Sequence, residues 1–350
     1  MIPHFDRLLE AVQRNCHITD ARHARAMTLC TYLLEMREFC RWEHGLPLGQ
    51  TPPREEIGRW ISEREALWET LEQEDFGVVP LQDGECDPFA SACVNAALLP
   101  HGLVYHAGVG RYGKPHFFLG RLERREVPEG GSEGPEVLVC GCEYARDLLA
   151  LPAALQGDTI ILRREALTQW LWEKAAAWRE KSSPGPMQRA LEHYEYAAEG
   201  GLQRMVDGEI HAVILHERGE WLAGRQLGPA WETMLASFSM RRAEILARAV
   251  RDNLADCLST LPALIGEGRH ASLHFWFANF DAMRREIWPK LMPAYEAWVA
   301  SGDDQVLLAQ VEQGRQRWLA FARHVLDLQR AGCAEVELER YSHHPETLPR

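Results

Sequence analysis

The chain lacks the main features of nucleic-acid-binding and membrane-spanning proteins. Lysine occurs only four times in 350 residues, and the net charge is −13. Non-specific affinity for nucleic acids depends on Lys and Arg side chains that neutralise phosphates, so this charge balance argues against that class. The longest stretch without Asp, Glu, Lys or Arg, residues 88–110, contains two prolines and three glycines, which argues against a bilayer span. We therefore expect neither a nucleic-acid nor a membrane partner.

Several motifs that would indicate a specific chemistry are also missing. Residues 1–7 show no basic segment followed by an apolar one, so we expect no secretory signal. The nine cysteines are irregularly spaced, which favours reduced thiols and a cytoplasmic location. Cys140 and Cys142, taken with Cys86 and Cys93, lack the paired C-x-x-C spacing of a structural zinc site. The chain contains no H-R-D tripeptide, which marks the catalytic loop of kinases.

Hydrophobic patterning divides the chain into three segments and a tail. Residues 1–78 and 164–332 show helical periodicity, whereas residues 79–163 contain short β-branched or aromatic runs between Gly and Pro clusters. In the first segment, Asp20 is predicted to cap a long helix that extends to Trp42. The tail, 333–350, alternates strictly over part of its length and is predicted as a possible edge strand. We expect an α+β, mainly α fold, with a helical bundle from both ends of the chain and a small, mostly antiparallel sheet from the middle.

One predicted helix, 202–223, carries most of the functional argument. At about 100° per residue, Glu209, His216 and Glu220 fall within a stripe about 40° wide. Apolar residues such as Met205 and Val213 lie on the same face, so these polar groups are predicted to be buried and to converge on one point. Burying a carboxylate costs several kcal/mol unless it is paired or bound to a metal.

This stripe predicts a metal site. A His and a Glu at i and i+4 can bind one cation from a single helix face, and Glu217 would then lie beside a metal-bound water as a general base. The run His216-Glu-Arg-Gly-Glu resembles the His-Glu-x-x-His helix of zinc peptidases, with Glu220 in place of the second histidine. Glu209 or His274 would supply a further ligand. The predicted function is a metal-dependent enzyme, hydrolytic rather than redox, that uses Zn or Fe and acts on a small-molecule or peptide substrate.

Two other functions remain open at this stage. The stripe could be a buried ion-pair network with arginine partners, in a non-catalytic interaction or regulatory protein. It could also be a carboxylate-bridged iron redox site, although such sites normally show Glu-x-x-His pairs. The chain has one such pair, Glu267 and His270, in a predicted loop.

The run 108–113, Gly-Val-Gly-Arg-Tyr-Gly, matches the G-x-G-x-x-G pattern of dinucleotide-binding loops. Such a site requires a helix to begin at the glycines, so that its N-terminal amides bind the pyrophosphate. Here Pro115 and His116-Phe-Phe-Leu continue as a strand. We therefore expect the glycines to join two antiparallel strands.

Residues 15–43 begin with Asn15-Cys-His-Ile-Thr-Asp-Ala-Arg-His and end with Glu-Met-Arg-Glu-Phe-Cys-Arg-Trp-Glu43. This opening stretch resembles a family of uncharacterised bacterial proteins. The resemblance extends through His216-Glu-Arg-Gly-Glu. That family has no established activity, so the resemblance implies no role for any residue.

Overall fold

A computed structural model describes residues 5–110, 113–128, 133–181 and 183–348. The chain is mainly helical with a smaller sheet, so the predicted α+β class is confirmed. The described residues form two compact units. The N-terminal unit comprises those up to 127 together with 136–156 and 161–172, and the C-terminal unit comprises 128, 133–135, 157–160 and those from 173 on. The two ends of the chain thus belong to different units rather than to one bundle.

The N-terminal unit combines helices with the sheet. Its helices are α1 (Phe5–His23), α2 (Leu29–Glu43), α3 (Arg54–Leu71) and α4 (Ser91–Leu98). Its strands are β1 (Val79–Leu81), β2 (Gly84–Cys86), β3 (Leu103–Val109), β4 (Pro115–Glu126), β5 (Glu136–Arg146) and β6 (Ala153–Gln156). Two elements, β7 (Thr159–Arg163) and α5 (Arg164–Lys181), contribute residues to both units. The strand-like runs predicted within residues 79–163 lie in β3, β4, β5 and β7.

The main sheet has the order β3-β4-β5-β7-β6, and β4 pairs antiparallel with both β3 and β5. Helix α1 packs on this sheet through a shared apolar core that includes Val12 and Leu119. It also donates two side-chain hydrogen bonds to strand carbonyls, from the Thr19 hydroxyl to Pro115 (2.9 Å) and from the Cys16 thiol to Phe117 (3.3 Å). On the edge strand β3, the backbone of Tyr105 exchanges two hydrogen bonds with the Asn95 side chain of α4, both 2.8 Å. The polar backbone of this edge is thus satisfied by a helix.

The glycine run lies between paired strands, as predicted. Strands β3 and β4 pair antiparallel, and the Gly110 amide donates to the Lys114 carbonyl (2.8 Å). Residues 111 and 112 fall outside the described ranges. The reason for glycine here is contact with histidine rings: a Cβ on Gly108 would lie 3.0 Å from His106, and one on Gly110 would lie 2.8 Å from His116. These glycines therefore accommodate side chains of the unit itself.

The C-terminal unit is helical. Its helices are α6 (Pro186–His193), α7 (Gly201–Leu227), α8 (Pro229–Ser237), α9 (Arg241–Ala255), α10 (Leu261–Gly266), α11 (His270–Ala278), α12 (Ala282–Ile287), α13 (Leu291–Ser301), α14 (Asp304–Arg330) and α15 (Ala334–His343). A π-helical segment, Asp256–Thr260, connects α9 to α10. No helix among the described residues combines the length and apolar composition that crossing a bilayer requires.

Three predictions are wrong. The tail forms helix α15 rather than an edge strand, because its buried residues Ala334, Leu338 and Tyr341 also satisfy helical spacing. Asp20 lies inside α1 rather than at the start of a helix, and is fully buried. The thiols are not all reduced: a disulfide joins Cys86 to Cys93, seven residues apart, while the other seven cysteines are free.

Candidate functional site

The predicted site helix exists as α7, and a close helix crossing positions its polar residues. A Cβ at Gly219 would lie 2.2 Å from the carbonyl oxygen of Ala255, so only glycine allows α7 to approach the end of α9 this closely. The π-helical segment begins at the next residue, Asp256. Its wider turn directs Asp256 toward α7, and single-turn π-helical insertions are frequent at functional sites.

His216 lies between two carboxylates. Its Nδ1 is 2.9 Å from Asp256 Oδ1, and its Nε2 is 3.5 Å from Glu220 Oε1, the predicted i, i+4 partner. Burial opposes the charged imidazolium, but the charge of Asp256 and hydrogen bonds to both carboxylates raise the pKa of His216 well above its ordinary value. The side chain of His216 is 28% exposed, so part of it reaches solvent.

Two arginines complete this group. Arg251 donates to Glu220 (2.9 Å), and Arg284 donates to Asp256. Burial favours the neutral form of Glu220, but Arg251 and His216 hold the pKa of that carboxyl below its usual range. In the same way, Arg284 and His216 hold the pKa of Asp256 low against its complete burial. We call the six residues His216, Glu217, Glu220, Arg251, Asp256 and Arg284 the His216 cluster.

Glu217 differs from the other acids of the His216 cluster. It is 9% exposed, and it forms no hydrogen bond or ion pair with any residue that the structure describes. Burial raises its pKa from 4.5 to about 7, and the like charge of Glu220 is the second-largest cause of this rise. A carboxyl group with a pKa near neutrality can accept and release a proton under ordinary conditions.

The other two candidate ligands lie elsewhere, so the predicted convergence is wrong. Glu209 is seven residues from His216, a rise of about 10 Å along the helix. Its carboxyl accepts a hydrogen bond from Tyr194 (2.6 Å), and the Tyr194 hydroxyl also bonds Ser272 (2.7 Å). His274 bonds the Tyr295 hydroxyl (2.8 Å) and packs against aromatic rings.

These surroundings shift the proton affinities of both groups. Burial raises the pKa of Glu209 to about 8, so this carboxyl is largely protonated at neutral pH. Burial lowers the pKa of His274 to about 4, and the charge of His193 is the second-largest cause of this decrease. Glu209 is therefore a neutral hydrogen-bonding group in this structure.

The His216 cluster does not have the geometry of a metal centre. The carboxylates of Asp256 and Glu220 approach opposite nitrogens of the His216 ring and therefore do not share one coordination point. Arg251 already binds the Glu220 oxygen that faces His216. Within the described ranges, no group of three or more His, Cys, Asp or Glu side chains is placed to hold a metal ion.

The partners of His216 were not predictable from the sequence. Asp256 is 40 residues away and Arg251 is 31 residues from Glu220, so neither contact leaves a periodic signal. In the sequence, Arg284 is distinguished only by its position next to a second arginine, Arg285. In the structure it neutralises Asp256.

A second buried charge cluster, in the N-terminal unit, was not predicted. The ammonium of Lys114 lies between Asp20 (3.4 Å) and Asp147 (3.5 Å), and His116 Nδ1 is 2.6 Å from Asp147. Burial, and the like charge of Asp147, raise the pKa of Asp20 to about 7 against the opposing effect of Lys114. The lysine occupies the space between the two carboxylates, so this cluster is internally balanced.

Comparison with known families identifies two matches that together span nearly the whole chain. Residues 7–163 match the N-terminal domain of a family of unknown function (DUF6866), and residues 168–343 match the C-terminal domain of the same family. No curated protein and no solved structure matches the chain.

Proposed function

Because the chain belongs to DUF6866, a family of unknown function, we propose its function from the chemistry of its own residues: a hydrolytic acid–base enzyme with its site at the His216 cluster. Glu217 would be the general base, and His216, oriented by Asp256, would be the general acid. The unpaired carboxyl of Glu217, a residue that is 9% exposed, is the observation that carries this proposal. Buried acids with perturbed pKa values are concentrated at functional sites.

The two groups have complementary proton affinities. Glu217, with a pKa of about 7, is partly ionised at neutral pH and could take a proton from an attacking water. His216 keeps its proton because Asp256 and Glu220 stabilise the imidazolium, so it could protonate a leaving group. Pairs of titratable groups whose surroundings move their pKa values apart are a common acid–base arrangement. A leaving group would have to replace Glu220, the longer of the two carboxylate contacts of His216 (3.5 Å), to reach the Nε2 proton.

The sequence alone predicts dependence on zinc or iron. A metal bound by His216 and Glu220 would have to displace Arg251 from Glu220, and would compete with the positive charges of Arg251 and Arg284. We therefore propose the metal-independent form of the enzyme. A small-molecule or peptide substrate, the absence of nucleic-acid and membrane partners, and a cytoplasmic location also stay predictions.

A second candidate function is a non-catalytic interaction or regulatory protein. It is favoured by the pairing of His216 with Asp256 and of Glu220 with Arg251, because a buried network of this kind can serve packing alone. The two candidates differ in what they require of Glu217. Only the enzyme needs its carboxyl group to ionise.

The test is hydrolysis of p-nitrophenyl acetate, p-nitrophenyl phosphate and alanine p-nitroanilide by protein purified without added metal. We expect wild-type turnover of at least one substrate, a loss of about 100-fold or more in kcat for Glu217→Gln, and no loss on chelation by EDTA. Asp207→Asn is the matched control, because Asp207 lies on the exposed side of α7. Equal turnover by Glu217→Gln, or no turnover by the wild type, would overturn the proposal. Turnover that requires bound metal would restore the metal-dependent enzyme.

A further inference from the structure

The N-terminal unit contains a cleft of about 660 Å³, a volume typical of small-molecule sites. Aromatic, aliphatic and charged side chains line it. We call it the Arg146 cleft and define it by Gln13, Trp42, Leu46, Tyr144, Arg146 and Glu165. No residue of the His216 cluster belongs to it, so it is a separate site.

Arg146 is the unusual residue of this cleft. It is the last residue of β5, it is only 2% exposed, and its guanidinium donates no hydrogen bond to any residue that the structure describes. Its Nε is fully buried without a hydrogen-bond partner. Burial lowers the pKa of Arg146, although an arginine keeps its charge in proteins. A buried group with five N–H donors and no acceptor points to a missing partner.

The nearby carboxylate does not serve Arg146. Glu143 binds Arg163 with both oxygens, at 2.9 and 2.6 Å, and its closest approach to a guanidinium nitrogen of Arg146 is 3.9 Å. Arg163 therefore occupies the acceptor positions of Glu143 that give the best hydrogen-bond geometry. Arg146 therefore retains one positive charge without a hydrogen-bonded counterion.

The other arginines that line the cleft already have carboxylate partners. Arg41 binds Glu38 (2.8 Å), and Arg164 pairs with Glu123 (3.2 Å). Arg146 is thus the cation of the cleft that is best placed to receive a new anion, and one charge matches a monoanion better than a dianion.

Aromatic contacts hold Arg146 in a geometry suited to binding. Its guanidinium carbon lies 4.8 Å from the ring centre of Trp42 and 5.6 Å from that of Phe39. Stacking of this kind stabilises the cation through its face. The N–H donors, which lie at the edge of the guanidinium plane, are left for an acceptor in that plane. A carboxylate matches this fork in shape.

From these observations, we propose that the Arg146 cleft binds a small organic carboxylate. The carboxylate would accept two hydrogen bonds from Arg146, and the apolar body of the ligand would pack against Trp42, Leu46 and Tyr144. This inference does not depend on the proposed enzyme activity.

The first test is binding of benzoate to the full chain, measured by isothermal titration calorimetry and by the melting temperature in a buffer without carboxylate or phosphate. Hexanoate and inorganic phosphate serve as comparison probes. We expect saturable binding of benzoate and hexanoate, and a melting temperature that rises with their concentration. Failure of both carboxylates to bind, or binding of phosphate in their place, would overturn the proposal.

Two variants locate the site. Arg146→Lys keeps the charge and removes the planar fork, so benzoate affinity should fall about tenfold or more. Arg64→Lys is the matched control, because Arg64 also stacks on aromatic rings, including Phe39, and does not line the cleft. Thr168→Glu adds a negative charge at the partly exposed rim of the cleft and should also weaken binding, even if Arg146→Lys fails to fold. Unchanged affinity in Arg146→Lys or in Thr168→Glu would overturn the proposal.

Discussion

The His216 cluster of the C-terminal unit and the Arg146 cleft of the N-terminal unit both bury charge, but they neutralise it differently. In the His216 cluster, Asp256 faces two cations, His216 and Arg284. In the Arg146 cleft, Arg163 takes both oxygens of the nearest carboxylate, and the guanidinium of Arg146 is left without a hydrogen bond. Breaking a paired buried charge leaves an uncompensated partner, whereas removing an unpaired one does not.

Each region therefore combines structural charges with one group that is chemically available. In the His216 cluster this group is Glu217, which can exchange a proton because burial raises its pKa to about 7. In the Arg146 cleft it is Arg146, which can accept an anion. Burial of charge alone therefore does not indicate function, whereas the pairing state of the buried groups does.

The largest effect is expected from Asp256→Asn. This change leaves the cations His216 and Arg284 without their shared counterion, so the free energy of unfolding should fall by about 3–5 kcal/mol. Urea denaturation at pH 7 measures it. Asp207→Asn, on the exposed side of α7, should change stability by less than about 0.5 kcal/mol. A similarly small effect for Asp256→Asn would show that the pairs of the His216 cluster are not structural.

Glu217→Gln should raise the free energy of unfolding at high pH, whereas Asp256→Asn should lower it. Because the folded protein raises the pKa of Glu217, it binds this proton more tightly than the unfolded chain does. The resulting stabilisation is complete below the ordinary value of 4.5 and is lost as the pH rises through about 7. Glutamine cannot ionise, so the variant should be about 1–3 kcal/mol more stable than the wild type at pH 8 and equal to it at pH 4.

Urea denaturation of both proteins at the two pH values measures this difference. A stability difference that does not change with pH would mean that Glu217 titrates normally in the folded protein.

Tyr194→Phe tests the buried carboxyl that lies outside the His216 cluster. The change removes the hydrogen bond to Glu209 and should reduce the free energy of unfolding by about 1 kcal/mol. Because that bond favours the ionised form, its loss should also raise the pKa of Glu209 above about 8. Denaturation at pH 6 measures the first effect. A loss as large as that of Asp256→Asn would place Glu209 among the structural charges.

The smallest effect on stability is expected in the Arg146 cleft. Arg146→Met removes a buried charge that has no hydrogen-bonded partner and keeps much of the apolar side-chain volume. The free energy of unfolding should change by less than about 1 kcal/mol in either direction, although benzoate binding is lost. A loss of several kcal/mol would show that Arg146 has a structural partner.

The local features of the His216 cluster were predictable from the sequence. Periodicity placed Glu209, His216 and Glu220 on one face of a helix, and the structure brings His216 and Glu220 together on α7. It could not identify Asp256, because a contact over 40 residues leaves no periodic pattern. Gly219, which costs an isolated helix about 1 kcal/mol relative to Ala, is explained only by its contact with Ala255.

The N-terminal unit illustrates the same limit. The strands were predictable from their β-branched and aromatic runs, but Arg146 reads only as a polar residue at the end of a strand. Its lack of a partner depends on Arg163, which lies two strands away along the chain and takes the carboxylate of Glu143. The tail was mispredicted because residues 334–341 satisfy both an alternating and a helical pattern.

The proposed mechanism requires Glu217 to be an unpaired acid that titrates near neutral pH. The most direct measurement is a carbon-13 NMR titration of the glutamate carboxyl resonances, with Glu217 assigned as the signal missing from Glu217→Gln. We predict that this resonance titrates with a pKa of about 7, because burial and the nearby charge of Glu220 oppose its ionisation. A pKa near the ordinary value of 4.5 would contradict the claim and remove the basis for Glu217 as a general base.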